Sequence, residues 1–385
     1  MHKKIPYGRQ HITDEDIQAV VDVLKSDFLT QGPHIGDFEL AFAQYIGVKY
    51  AVAVSNGTAA LHLCTLALGV KEGDKVITTP ITFIASANCV RYAGGDVVFA
   101  DIDPETWLLD INKVRELLES SPIGTYKGII PVDFAGRAVN LEEFRILADE
   151  FNLWIIEDAC HAPGGYFVDS KGSKHNCGNG DFADLAIFSF HPVKHIACGE
   201  GGMITTNNEG LYHKLRNLRT HGIQQIPELR QFNHGPWYYE MQELGFNYRL
   251  TDIQAALGLS QLTRADAGLK RRKEIAQKYQ NVFEGKSYIY RQAGVVDGHA
   301  YHLYVVEFKN RDKLLTYLRE KNIIVQVHYI PAHLMPYYRQ FGWKENDMPE
   351  AENYYRNCLS LPMYPTLSDR EQEYVISTVT AFFND

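Results

Sequence analysis

Lys194 is the residue of this chain whose setting most directly suggests covalent chemistry. It closes the stretch Phe188-Ser189-Phe190-His191-Pro192-Val193-Lys194, after the apolar run Leu185–Phe190 and before Gly199-Glu200-Gly201-Gly202 and a second run, Met203–Thr206. A lysine enclosed between two strands sheds its proton readily, and a neutral amine attacks carbonyl carbon. On this stretch alone a snorkelling lysine or a point charge for phosphate fits equally. Two further groups narrow the choice. Asn56-Gly57-Thr58-Ala59-Ala60 lies where a strand gives way to a helix, and free N–H groups at a helix start suit a phosphate, although Gly-Thr also begins many helices simply as a cap. Glu157-Asp158-Ala159-Cys160-His161 follows another apolar run. Acids at strand ends are often just solvated, but a buried Asp158 needs a cation or N–H donors. A protonated pyridine nitrogen would be such a partner. A phosphate cradle, an aspartate and a later lysine are together the holds that pyridoxal 5'-phosphate requires. Lys194 would form the internal aldimine and then move a proton.

Those groups need a scaffold that brings distant segments to one edge. Short apolar runs at Tyr50–Ser55, Val76–Thr79, Val97–Ile102, Gly128–Asp133 and Leu153–Glu157 alternate with amphipathic helical patterns. The helices are expected near 57–61 onward, 83–92, 112–118 and 141–151. This alternation describes an α/β fold with a mostly parallel central sheet covered on both faces. Thr13 is read as the cap of an N-terminal helix with an apolar face of Ile17, Val20, Val21 and Leu24, and a second helix follows around Phe38–Tyr45. From about Ile253 the pattern changes to one long helix carrying Arg271-Arg272-Lys273, then a strand at Leu303–Phe308, a helix at Leu314–Glu320 and an extended run at Ile323–His328. The expected division is a large cofactor-binding domain over 1–252 and a small α+β domain over 253–385. Gln224–Tyr239 is read as a surface loop.

Composition excludes several classes. The 385 residues exceed one ordinary core of about 100–200 residues. A net charge of −9, with no clustered basic face, argues against a nucleic-acid surface. No apolar run reaches the roughly 18 residues of a membrane span, and Met1–Pro6 lacks a leader's apolar core. Six scattered cysteines without a CxxC pair suit a reducing, cytoplasmic setting. Cys160, His161, His175 and Cys177 match no zinc framework, so no metal is expected.

In order, Asn56–Leu61, Glu157–Ala162, Ser189–Lys194, Gly199–Gly202 and Gly245–Asp252 resemble the motifs of the DegT/DnrJ/EryC1/StrS sugar-nucleotide aminotransferases, along essentially the whole chain. The resemblance implies a fold-type-I pyridoxal-phosphate transferase with a small C-terminal domain. Matching positions imply roles: Gly57, Thr58 and Ala59 backbone and the Ser189 hydroxyl on the cofactor phosphate, Phe83 on the ring face, Asp158 on the ring nitrogen, and His161 opposite the ring's phenolic oxygen. Phe83 also fits a core residue at a helix start. Asn247 would reach the phosphate of a neighbouring subunit, implying a homodimer with shared sites. The loop Thr30–Pro33, Ile5–Tyr7 and Val327–Tyr329 are similar to members that aminate C4 of a UDP-4-keto-6-deoxy-N-acetylhexosamine, giving a UDP-linked L-altrosamine for pseudaminic acid. Tyr7, Asp27, Phe28, Leu29, Thr30, Val327, His328 and Tyr329 would line that substrate's pocket. L-Glutamate would be the amino donor, with pyridoxamine phosphate between the half-reactions. Perosamine-, bacillosamine- or aminoarabinose-type sugars and a non-catalytic cofactor-binding regulator are the alternatives. A dehydratase of the same family would carry histidine in place of Lys194, and a dinucleotide-binding dehydrogenase would need a GxGxxG turn that this chain lacks.

Overall fold

The structure is a computed structural model and describes residues 4–384. Met1–Lys3, part of the segment read for a leader, lie outside the described residues. Two helices come first, α1 (Asp14–Leu24) and α2 (Pro33–Ile46). Strands and helices then alternate as β1 (Tyr50–Val54), α3 (Gly57–Ala67), β2 (Lys75–Thr78), α4 (Ala85–Tyr92), β3 (Asp96–Phe99), α5 (Ile111–Glu119), β4 (Tyr126–Ile130), α6 (Leu141–Phe151) and β5 (Trp154–Asp158). A hairpin of β6 (Tyr166–Val168) and β7 (Lys174–Asn176) precedes β8 (Leu185–Ser189), β9 (Gly202–Thr206) and α7 (Glu209–Arg219).

Seven strands form one sheet in the order β1-β9-β8-β5-β4-β2-β3. The pairs β8–β5, β5–β4, β4–β2 and β2–β3 are parallel, and β9 runs antiparallel to both its neighbours. Because β9 reverses the chain twice, β1 and β8 point the same way. The segments after β1, β2, β4, β5 and β8 therefore emerge at one edge, where ligands of open α/β sheets bind. The alternating faces explain why the strands are apolar throughout. Val52, Val54, Ile187 and Ile204 enter the core on one face, whereas Ala51, Ala53, Phe188 and Met203 enter the other. On that second face the small alanines leave room for Phe38 and Phe42 of α2.

The remaining chain forms α8 (Asp252–Leu262), α9 (Ala265–Phe283), β10 (Ile289–Gln292), β11 (Tyr304–Phe308), α10 (Arg311–Glu320), α11 (Pro336–Arg339), α12 (Pro349–Asn357), β12 (Cys358–Leu361) and α13 (Asp369–Asn384). Its three strands make a small antiparallel sheet, β10-β11-β12. Bonds tie this part to the large sheet: Trp107 Nε1 donates to Glu307 Oε1 at 2.8 Å, and Ala300 N donates to Gly136 O at 2.7 Å. No helix among the described residues is long and apolar enough to cross a membrane.

Three local expectations change. The long helix from Ile253 is two helices, α8 and α9, broken at Thr263-Arg264. Arg264 turns there to pair with the fully buried Asp16 of α1 at 2.7 Å, and Gln261 and Ser260 bond the same carboxylate. That buried acid also rotates α1: Val23 faces inward, while Ile17 and Leu24 are each 55% exposed. The apolar run Ile323–His328 forms only single bridges, Ile5 with Ile323 and Gln326 with Ser360. It crosses an edge without a partner strand long enough to pair it.

Candidate active site

A cavity of about 1050 Å³ opens at the carboxyl edge of the large sheet. Lys194 lies in it because β8 and β9 are adjacent antiparallel strands, so their connection stays at that edge. The lysine backbone is held in a turn, its N–H donating to His191 O at 2.8 Å. Its side chain is half-buried. Desolvation pulls the amine below the ordinary lysine range, partly countered by Cys160 and the Asp158 carboxylate. The setting thus favours a neutral amine relative to a surface lysine.

Asp158 ends β5 and is 5% exposed. Ser86 Oγ, in the first turn of α4, donates to its Oδ2 at 2.6 Å, and Cys160 N donates to Oδ1 at 3.1 Å. The carboxylate still faces the cavity. Opposite it, Asn56 caps α3 by accepting from Ala59 N at 2.8 Å. The Ala59 amide expected on a phosphate is therefore already engaged, which leaves Gly57 and Thr58, whose first-turn amides have no helical acceptor. A Cβ on Gly57 would stand 3.1 Å from Ser189 Cβ and 3.5 Å from Cys160 Sγ, so the glycine keeps this corner open beside the Ser189 hydroxyl.

His161 is fully enclosed and its imidazole is pulled well below the usual histidine range, by burial first and then by Lys194 and other histidines. Its Nδ1 accepts from Ala135 N at 3.2 Å, so the ring proton is on Nε2, 3.3 Å from the Tyr329 hydroxyl. His302 lies against it, ring centres 4.3 Å apart. His328 bonds Ser360 Oγ through Nδ1 at 2.8 Å and is lowered to about 3 by burial. Tyr7 packs on the His328 ring at 5.1 Å. Phe83 stands two residues before α4, 59% exposed, its ring 6.4 Å from that of Tyr329. It lines the mouth rather than the core.

Gly57, Thr58, Ala59, Phe83, Asp158, His161, Ser189 and Lys194 thus share one cavity with Tyr7, Val327, His328 and Tyr329. Asp27, Phe28, Leu29 and Thr30 do not: all are exposed, and Thr30 bridges Thr251 between α1 and α2. Asn247 is also exposed and outside the cavity, bridged to Thr220. Sequence reasoning missed Ser86, His302, His62 and Tyr248, which line the same space; a serine in the turn after a strand gives no signal of its target. All six cysteines are free.

The cavity suits an anionic, planar, carbonyl-bearing cofactor. Two free amides and a hydroxyl, a buried carboxylate and a desolvated amine line the same space. A parallel-edge site of this make-up defines a covalent group-transfer enzyme. The DegT/DnrJ/EryC1/StrS aminotransferase family matches residues 10–380, and the chain belongs to that family. It is an aminotransferase on the fold-type-I scaffold of pyridoxal-phosphate-dependent enzymes.

Among curated relatives, the chain is 40% identical over 384 residues to the spore coat polysaccharide biosynthesis protein SpsC of Bacillus subtilis, covering 97% of this chain and 96% of that one. It is 38% identical over 384 residues to a UDP-4-amino-4,6-dideoxy-N-acetyl-beta-L-altrosamine transaminase of Campylobacter jejuni, with the same coverage. Helicobacter pylori PseC, an aminotransferase of pseudaminic acid biosynthesis, superposes with a TM-score of 0.89 at 30% identity, over 99% of this chain and all of that one. Spr1654 of Streptococcus pneumoniae in its PLP form gives 0.87 at 29% identity, over 98% of each chain.

Proposed function

We propose that the chain transfers the amino group of L-glutamate to C4 of a UDP-4-keto-6-deoxy-N-acetylhexosamine, forming a UDP-linked L-altrosamine for pseudaminic-acid-type glycans. The observation that carries this reading is that Lys194, Asp158 and the open amides of α3 converge on one cavity. The choice of sugar is supported by the C. jejuni relative's altrosamine transaminase activity and the H. pylori neighbour's part in pseudaminic acid biosynthesis. Pyridoxal phosphate, when bound, supplies an electron-accepting conjugated ring. Lys194 is its covalent anchor and afterwards the base and acid that moves a proton beside the substrate carbon. Asp158 would balance charge at the ring nitrogen, Gly57, Thr58 and Ser189 would hold the phosphate, and His161 would offer its Nε2 proton beside the ring. Phe83 and Tyr329, at the cavity mouth, would flank the bound ring.

The active unit is a homodimer. Among the described residues, Lys194 is the only lysine or arginine lining the cavity, and its amine is committed. The donor's carboxylates and the substrate's diphosphate need cations from elsewhere. Asn247 and the Asp27–Thr30 loop, both exposed and outside the lining of their own cavity, are the segments assigned to the partner's. Residues 1–252 form the cofactor-binding body and 253–385 the small domain. The setting is the reducing cytoplasm. A different keto sugar nucleotide is the second reading, favoured by the 40% identity to a spore-coat polysaccharide protein.

The test is the absorbance spectrum of the purified protein with pyridoxal phosphate, before and after L-glutamate, then with candidate UDP-keto sugars. Glutamate should bleach the long-wavelength band, and the true acceptor should restore it. Lys194→Ala should show neither change. A Lys194→Ala protein with near-normal turnover overturns the assignment.

A further inference from the structure

Behind Asp158, on the opposite face of β5, lies a group of acids that the reaction does not use. Glu157, 2% exposed, accepts Gly178 N on both carboxylate oxygens, at 2.9 and 3.0 Å. Asp133, fully buried, accepts Val139 N on Oδ1 at 2.8 Å, while its Oδ2 has no hydrogen-bond donor from any N–H. Cys177, 2% exposed, completes the group, and ligating atoms of all three lie within 4.8 Å of one another. The titratable neighbours that bear on it are Asp158 and Cys160, also acids.

Two carboxylates this close and this dry cannot both ionise without a cation. Asp133 Oδ2 needs a donor, and the groups within reach that can be one are a protonated Glu157 carboxyl and the Cys177 thiol. Burial pushes Asp133 up to about 6 and Glu157 well above the carboxyl range, each opposed or aided by the other.

We propose that Asp133 and Glu157 hold one proton between them in the resting protein, so that the wall behind Asp158 carries one negative charge instead of two. The pair is a positioning element. Asp133 N donates to Asp158 O at 3.0 Å and Asp158 N donates to Pro131 O at 2.9 Å, so a repulsion opened between β4 and β5 would displace Asp158. The proton is held within the wall and is not exchanged with the substrate.

The experiment is infrared spectroscopy of the full-length protein, without added cofactor, carrying carbonyl-labelled aspartate and glutamate. It does not depend on the identity of the sugar or of the cofactor. At neutral pH the wild type should show a carboxylic-acid carbonyl band that shifts in heavy water. Glu157→Gln, whose amide copies the protonated acid, should lose that band and keep any band from the separately buried Glu307. Raised carboxyl values in the fold mean that stability is lost as pH rises through them. Wild type should therefore lose thermal stability as pH rises above the ordinary carboxyl range, and Glu157→Gln should lose less. A structural role alone would shift both curves equally at every pH. A wild-type spectrum without the acid band overturns the proposal even if the variant fails to fold. An unchanged band in Glu157→Gln, parallel pH curves, or a stoichiometric bound metal that the variant lacks would each overturn it as well.

Discussion

Ser86→Ala removes one oxygen and tests whether Asp158 is held as described. The serine is 1% exposed, donates to Asp158 Oδ2 at 2.6 Å and contacts Thr82 Oγ1 at 2.8 Å. Alanine suits the first turn of α4, so helix propensity does not oppose the change. The larger loss is the hydrogen bond to a charged acceptor, about 1.5–3 kcal/mol, and the Thr82 contact goes with it. Only the Cys160 amide, at 3.1 Å, remains on that carboxylate. A loss of about 2 kcal/mol corresponds to a roughly 30-fold shift in the unfolding equilibrium at fixed protein concentration. The assay is urea unfolding of the cofactor-free protein followed by tryptophan fluorescence, repeated with pyridoxal phosphate. In the proposed site a cationic ring nitrogen would give Asp158 a new partner, so the cofactor should recover part of the loss. A change below about 0.5 kcal/mol, the scale of an ordinary surface substitution, would refute the reasoning.

Gly57→Val should weaken pyridoxal phosphate binding at least tenfold in a fluorescence titration, since even a Cβ there meets Ser189 at 3.1 Å. The amine of Lys194, lowered by desolvation and raised by Asp158, should attach pyridoxal phosphate with a rate that climbs below the ordinary lysine range. Asp158→Asn should move that climb to still lower pH, and a shift upward would contradict the assigned charge. Trp107→Phe removes the indole donor from the buried Glu307 at 2.8 Å and should cost about 1–3 kcal/mol of stability by denaturation. Burial holds Glu307 above the usual carboxyl range, so that penalty should grow as pH rises through its folded value.

Strand and helix positions in the first half were legible because parallel strands covered on both faces must be apolar along their whole length. Tyr50–Val54, Trp154–Glu157 and Leu185–Ser189 carry that mark without long-range information. The motifs at Asn56–Ala60, Asp158 and Lys194 were legible for the same reason: each follows such a strand, and strand ends bear ligands. Ile17 and Leu24 misled because their helical spacing is real, yet Asp16 finds Arg264 and Gln261 far along the chain and takes the inward face.

The order of motifs along the chain determines the α/β class, the cofactor chemistry and the family. Tertiary structure decided which residues share the cavity. The reversal at β9 brings the end of β1 to the edge that β5 and β8 share, and at that edge Ser86 reaches Asp158 and His302 reaches His161 across long stretches of sequence. Asn247 and the Asp27–Thr30 loop stay outside the lining of that cavity. Local pattern reports which face of an element is apolar. The neighbours it meets depend on strand order and direction, which are set by the packing of the whole chain.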